Sequence, residues 1–217
     1  MKKLIFPALI LLLIACNNAA ENNAETDDTL QTEEVAEESS EIQEIRNSFP
    51  QLFSFYESRD SSFSPNGFEI AQSDTMNLLP AREINENDLK PYYPYFIYNG
   101  DSTKAIDLYS YNIMLTEKGG KTIVEAGGPD TEIAIVDFLN KTRQRIFFAG
   151  PSFVIHDGSW LNNETVLLAG GEILEGEKTK PMILKINLST KSRQYFNYPD
   201  TLSVNANTYK DSRIDIQ

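Results

Sequence analysis

Short runs of β-branched and aromatic residues, separated by turn residues, constrain the fold of this 217-residue chain more than any other feature. From Phe49 onward the runs are roughly four to eight residues long and are bounded by Gly, Pro, Asn and Asp, which is typical of antiparallel strands. Long helical periodicity is absent from this part of the sequence. The predicted strands are 92–98, 104–111, 122–126, 132–139, 145–149, 152–156, 165–169, 182–188 and 193–198. We therefore predict an all-β domain of antiparallel sheets over residues 47–217.

One turn in this pattern has a strong signature. The dipeptide Asn99-Gly100, between the first two predicted strands, is typical of a tight hairpin turn. The oxygen-bearing side chains of Asp101 and Ser102 follow it, but without the spacing of a full calcium-binding loop. We predict a hairpin turn here and no metal site.

The second half of the chain contains an internal repeat. Residues 121–128 match 164–171, and residues 137–144 match 187–194. Each unit has a strand, a Gly-Gly pair, a strand ending in Asp or Asn, a turn and a further strand. This order resembles the blades of β-propellers in bacterial surface proteins. It implies blade-like repeats at about 110–150 and 152–200 in a small or partial β-propeller, because units of this size must stack on neighbours. The alternative is a β-sandwich with two similar hairpins.

The N-terminus resembles the signal peptide of a bacterial lipoprotein. Lys2 and Lys3 precede an apolar run at 4–14, which is too short to span a bilayer. The run closes on Leu13-Ile14-Ala15-Cys16, and Cys16 is the single cysteine of the chain. The resemblance to a lipobox implies removal of residues 1–15 and attachment of acyl chains, such as palmitate, to Cys16. Several acyl chains anchor a protein stably without a transmembrane helix. We therefore expect a cell-envelope lipoprotein of the outer membrane, periplasmic or surface-exposed.

An acidic segment follows the predicted lipidation site. Residues 17–46 hold ten Asp and Glu against one base, Arg46, and have little apolar surface to bury. We predict that 16–46 is the lipidated cysteine with a disordered tether, although Ser40 and Gln43 are placed to cap a short helix through Phe49. The segment resembles the surface-export signals of Bacteroidota lipoproteins. The net charge of -13 disfavours nucleic acid and anionic membrane surfaces as partners.

The sequence has no catalytic signature, and we predict neither an active site nor a cofactor. His156 is the single histidine, which excludes sites built from several histidines. We interpret residues 156–159 as a turn before a strand, and Trp160 as a packing residue. The pairs Gly127-Gly128 and Gly170-Gly171 do not lead into a helix or a Lys-Ser/Thr pair, so we interpret them as turns and not as phosphate loops.

These observations favour a non-catalytic, membrane-anchored lipoprotein whose β domain binds a protein or a glycan. A tyrosine-rich patch is the candidate ligand surface, because alternation would expose half of its rings. It comprises Tyr92, Tyr93, Tyr95 and Tyr98. Two alternatives stay open. One is a hydrolase with paired carboxylates, drawn from Asp101, Asp107, Asp130 and Asp137. The other is a structural spacer of an envelope assembly.

Four short motifs resemble the Asp-Ser/Thr-apolar acceptors of the general O-glycosylation system in Bacteroidota. Hydroxyls on turns are accessible to such modification. The candidate acceptors are Thr29, Thr75, Ser102 and Thr201.

Overall fold

The computed structural model of the protein describes residues 40–210 and 214. The chain divides into two units, Met1–Ala36 and Glu37–Gln217, and all the described residues belong to the second. Antiparallel strands dominate this unit, which confirms the predicted all-β class. The elements in chain order are α1 (Ser40–Ser48), α2 (Pro50–Arg59), β1 (Glu69–Thr75), β2 (Arg82–Glu83), α3 (Glu86–Leu89), β3 (Ile97–Tyr98), β4 (Lys104–Asp107), β5 (Ile113–Lys118), β6 (Lys121–Ala126), β7 (Thr131–Asp137), β8 (Thr142–Ala149), β9 (Phe153–Asn162), β10 (Thr165–Leu174), β11 (Lys178–Asn187) and β12 (Ser192–Asn197), with 3₁₀ turns at Pro65–Gly67, Lys90–Tyr95 and Ala206–Thr208.

Two five-stranded sheets share one plan. Sheet 1 has the strand order β1-β12-β11-β10-β9, and sheet 2 has the order β2-β8-β7-β4-β3. In each sheet four strands form an antiparallel meander, and one strand from the N-terminal part of the domain pairs with the last of them. The hairpin β5–β6 interrupts the second meander between β4 and β7. Sheet 1 connects the equivalent strands β10 and β11 by a short turn, so the hairpin is an addition to the common plan.

The two sheets pack face to face over an apolar core. Val166 and Leu168 of β10 join Ile106 and Ile133 of sheet 2 in one buried cluster. Leu167, between them in sequence, points to the opposite face of sheet 1 and into a second cluster with the helices. Side chains alternate along a strand, so a strand buried on both faces needs a continuous apolar run. This explains the sequence of β10.

Helical segments cover the outer faces of both sheets. In α2, Leu52, Phe53 and Tyr56 are buried against the outer face of sheet 1. Leu89 and Phe96, on either side of the 3₁₀ turn at Lys90–Tyr95, bury the outer face of sheet 2. The layers are therefore helix, sheet, sheet and helix. Among the described residues, no helix is long and apolar enough to cross a membrane.

The sheets do not close into a propeller within the part of the chain that the structure describes; the sandwich alternative fits the arrangement. One of the two sequence matches of the repeat, that of residues 137–144 with 187–194, corresponds to a structural equivalence. Lys141 and Lys191 occupy equivalent turns, β7–β8 and β11–β12, with φ of 53° and 55°. The match of 121–128 with 164–171 is wrong as a structural equivalence, because it aligns β6 of the hairpin with β10, whose counterpart in sheet 2 is β4.

Proline residues explain two differences between the predicted and the observed elements. Residues 92–98 were predicted as a strand, but Pro91 and Pro94 lie in a 3₁₀ turn and only Ile97–Tyr98 pair. Proline lacks the N–H that a ladder needs. Pro50 ends the predicted helix at Ser48 and starts α2, which the sequence pattern did not reveal. Helix α1 also begins inside the segment predicted as tether.

Candidate functional site

The concave surfaces of the described domain include two that have room for a ligand. The first, which we term the sheet groove, has a volume of about 450 Å³ and is lined entirely by strands of sheet 1. Its lining residues are Ala71, Gln72, Phe153, Glu172, Lys180, Pro181, Met182, Tyr195 and Asn197. The second, the hairpin cleft, has a volume of about 760 Å³ and lies between the base of the β5–β6 hairpin, β9 and the C-terminal segment.

The sheet groove exists because sheet 1 is longer than sheet 2. Strands β10 and β11 have ten residues each, whereas β4 has four and β7 has seven. Along β10, the inner face runs through Val166, Leu168, Gly170 and Glu172, so it changes from apolar to polar beyond the sandwich core. The groove is therefore the part of the inner face of sheet 1 that sheet 2 does not cover.

The groove combines two aromatic rings with polar side chains of both hydrogen-bonding types. Glu172 and Lys180 are cross-strand partners on β10 and β11, and both are partly exposed. Burial raises the pKa of Tyr195 above its ordinary value, against the opposing effect of Arg193. The Tyr195 hydroxyl is therefore a neutral donor and acceptor at physiological pH. Asn197 adds an amide beside it on the same strand face.

A β-bulge shapes one wall of the hairpin cleft. Asp157 pairs with Ala169 and Ile155 pairs with Gly170, so His156 is the additional residue in β9. The interpretation of residues 156–159 as a turn was therefore wrong, since they lie inside this strand. A Cβ atom at Gly170 would lie 1.9 Å from the carbonyl oxygen of Val154, so glycine permits the close approach of β9. The Gly170-Gly171 pair is thus strand and not turn.

His156 lies in the cleft wall and is 9% exposed. Its ring meets that of Tyr209 edge to face, with centroids 5.3 Å apart. Asp130 and Lys210 are charged side chains of the same lining. Within the described residues, no group of three or more His, Cys, Asp or Glu is placed to hold a metal ion. The cleft therefore offers an apolar wall with a few polar groups, which suits binding.

A buried ionic cluster fixes the origin of the hairpin. Asp107 is fully buried at the end of β4 and accepts hydrogen bonds from the backbone N–H groups of Tyr109 and Ser110, at 3.1 and 2.8 Å. Its other oxygen accepts from Nε of Arg143 at 2.8 Å, and Arg143 also bridges to Glu132 at 2.5 Å. Burial alone would lower the pKa of Arg143, but the two carboxylates hold it above its ordinary value. The ion pair with Arg143 gives Asp107 a structural role, since a buried carboxylate needs a partner of opposite charge.

The other candidate hydrolase carboxylates occupy different settings. Asp101 accepts a hydrogen bond from the Thr103 hydroxyl at 2.6 Å, which lowers its pKa. Asp137 lies in the β7–β8 turn; burial raises its pKa, but hydrogen bonds from Asn140 outweigh this and lower it. Asp130 lines the hairpin cleft. Asp101 and Asp137 therefore stabilise turns. The hydrolase alternative stays a prediction.

The tyrosines of the predicted ligand patch do not form one exposed strand face. Tyr92, Tyr93 and Tyr95 lie on the 3₁₀ turn and are half-buried. The Tyr92 hydroxyl donates to a backbone carbonyl at the start of β5, at 3.1 Å. Tyr98, on β3, is 41% exposed and stacks on Phe138 with ring centroids 5.7 Å apart. Tyr98 is therefore the most accessible ring of the patch, and ligand binding there stays a prediction.

The remaining sequence-predicted positions divide by where they lie. Thr75, Ser102 and Thr201 are exposed at strand ends and turns. Cys16 and Thr29 lie outside the described residues. Trp160 packs between the sheets, as expected, and its indole N–H donates to a carbonyl of β3 at 2.8 Å. Glycosylation of the three hydroxyls is compatible with their exposure and stays a prediction.

The sheet groove was not predicted from the sequence. The predicted strands ended at residue 169 and resumed at residue 182, because Gly170-Gly171 was interpreted as a turn. The observed strands β10 and β11 run on to Leu174 and back from Lys178. Period-2 alternation continued through the glycines would have placed Glu172 and Lys180 on one face.

Comparisons with protein-family models, with curated proteins and with solved structures each give no match to this chain. The function is therefore argued from the geometry and chemistry of the chain itself.

Proposed function

We propose that the protein is a lipid-anchored lipoprotein of the bacterial cell envelope whose β domain is a non-catalytic binding module for a protein or a glycan. The leader that ends at Cys16 supports the anchor. The sheet groove carries the binding assignment, since an inner sheet face that bears rings and polar groups is left uncovered. Exposed surface of this kind is typical of interaction sites.

The roles of the ionisable groups also favour binding over catalysis. Asp107, the most buried carboxylate of the hydrolase hypothesis, is paired with Arg143. Glu132 forms ion pairs with the same guanidinium and with that of Arg145. A catalytic acid needs a proton to exchange with substrate, whereas both of these carboxylates are engaged in ion pairs with arginine side chains of the protein.

The anchor is tested by a Cys16→Ala variant expressed with its leader in a Gram-negative host. The acyl chains attach at this sulfur, so we expect the variant to leave the membrane fraction while its β domain stays folded. Asn18→Ala, which keeps the lipobox residues, is the matched control and should stay membrane-bound. Retention of Cys16→Ala in the membrane fraction would contradict the proposal.

The binding role is tested by affinity capture from native membranes with the anchor intact. We expect a defined protein or glycan to be enriched over a bait that carries the leader and tether alone. The opposite result is an empty capture and an empty glycan array together with turnover of a substrate by the purified protein. That combination would replace the proposal with an enzyme.

Attached glycans are tested by the intact mass of protein purified from its native host. We expect mass beyond that of the lipidated polypeptide, and Thr75→Ala and Thr201→Ala should each reduce it. Lipid mass alone would contradict the assignment of these acceptors.

A further inference from the structure

The floor of the sheet groove limits what it can bind. Glu172 and Met182 project from strand positions that pair with a neighbouring strand on both sides within sheet 1. Lys180 pairs with Glu172 on one side. On the other side of β11, Thr179 and Pro181 hydrogen-bond to the segment that follows β12. An extended peptide gains much of its affinity by hydrogen bonding to an open strand edge. The floor of the groove crosses the face of the sheet, and the edge strands β1 and β9 lie only at its two ends. Recognition on the floor must therefore come from side chains.

Two aromatic rings lie on opposite sides of this floor. Phe153 is on β9 and Tyr195 is on β12, three strand positions away in sheet 1. With neighbouring strands about 4.8 Å apart, the two residues are about 14 Å apart across the sheet, and the register offsets them by four positions, about 13 Å, along the strands. Both rings are partly exposed. A pyranose ring presents an apolar C–H face that packs on an aromatic face, and two rings at this spacing suit several linked sugar units.

The polar groups between the rings match hydroxyls. Glu172 accepts hydrogen bonds, Lys180 donates them and the Asn197 amide does both. The formal charges of Glu172 and Lys180 cancel, so the groove is neutral in a chain of net charge -13. A neutral groove with donors and acceptors favours an uncharged, hydroxyl-rich ligand over a polyanion or a polycation.

We propose that the sheet groove is a saccharide-binding site that holds a neutral oligosaccharide across β9–β12, with Tyr195 and Phe153 stacked on its sugar faces. This inference rests on the proposed binding function and assigns it a ligand class and a location. Tyr195 and Asn197 are its central specificity residues, because they adjoin on one strand face at the border between the groove and the sandwich core.

The test is isothermal titration of the folded, full-length mature chain with neutral hexasaccharides of glucose, mannose, galactose and N-acetylglucosamine. We expect at least one to bind, and Tyr195→Ala to weaken that binding by at least about tenfold. Tyr111→Ala is the matched control, since it removes an exposed tyrosine ring that lines neither the sheet groove nor the hairpin cleft. It should leave the affinity within about twofold.

A second variant guards against loss of fold. Asn197→Ala removes only a partly exposed amide, and it should also weaken binding while its circular dichroism and melting temperature stay near those of the wild type. Unchanged affinity in both groove variants would overturn the location, and so would a loss confined to Tyr111→Ala; either result leaves the proposed binding function standing. No binding to any of the hexasaccharides would overturn the ligand class, while the membrane capture separately decides whether the protein has a partner.

Discussion

Gly170→Ala tests the close approach that creates the bulge in β9. A Cβ atom at Gly170 would lie 1.9 Å from the carbonyl oxygen of Val154, whereas ordinary van der Waals contacts begin at 3.4 Å. The obstacle is backbone, so β9 must retreat by about 1.5 Å. Overpacking of a closed core costs about 1–3 kcal/mol, and each weakened ladder hydrogen bond adds about 1 kcal/mol. We expect a loss of at least about 3 kcal/mol in the free energy of unfolding.

The measurement is urea unfolding followed by the fluorescence of Trp160, the single tryptophan of the chain, together with thermal unfolding. For a domain of this size, 3 kcal/mol corresponds to a melting temperature about 6–12 °C lower. Gly150→Ala is the control, because a Cβ atom at that position would have no heavy atom within 4 Å beyond its chain neighbours. That substitution should change stability by less than about 0.5 kcal/mol. A Gly170→Ala protein that melts within about 2 °C of the wild type would refute the argument from close approach.

Three further predictions concern the hairpin, the ionic cluster and acid stability. Replacing residues 114–125 by Asn-Gly removes most of the β5–β6 hairpin and joins Ile113 to its strand partner Ala126 through a two-residue turn. We expect unfolding to stay cooperative and the free energy of unfolding to stay within about 1 kcal/mol of the wild type, because a two-stranded hairpin contributes little by itself. Loss of cooperativity would show that the sheets need the hairpin. Asp107→Asn removes one of the two carboxylates that pair with the Arg143 guanidinium and should cost about 1.5–3 kcal/mol in urea unfolding, whereas exposed Asp88→Asn should stay within about 0.5 kcal/mol; equal effects would contradict this. The Ser62 hydroxyl lowers the pKa of Asp60, so this carboxylate stabilises the fold above about pH 4 and loses that contribution as the pH falls through its native pKa. Asp60→Asn should therefore reduce stability at pH 7 but not at pH 2, and a pH-independent difference would argue against it.

The strands were predictable from the sequence because their apolar residues are buried on fixed faces. Seven predicted runs from residue 122 onward each overlap an observed strand. The hydrophobic pattern was less informative at residues whose structural role depends on how backbones of neighbouring strands approach each other. Gly170 and Pro181 look like strand breakers in sequence, yet one permits the approach of β9 and the other lies within β11. Such roles depend on neighbouring strands that single-sequence periodicity cannot place.

The candidate site was less predictable than the fold. The tyrosine patch was inferred from alternation, but Pro91 and Pro94 replace the strand by a 3₁₀ turn, so its rings point differently. The groove depends on the unequal lengths of the two sheets, which is a property of their packing. The repeat was detected through the turns at Lys141 and Lys191, where local geometry is encoded locally. The match of residues 121–128 with 164–171 was wrong because the β5–β6 hairpin interrupts the meander of sheet 2.

The pairing of β1 with β12 has a consequence for when the domain can form. Residues that pair between these strands are about 120 positions apart in the chain, so forming them closes a very long loop. The meander β9–β12 can assemble from neighbours, but β1 has no strand to pair with until β12 has been made. Non-local pairing of this kind slows folding. For a protein that is exported as proposed, sheet 1 could be completed on the far side of the membrane only after β12 has crossed.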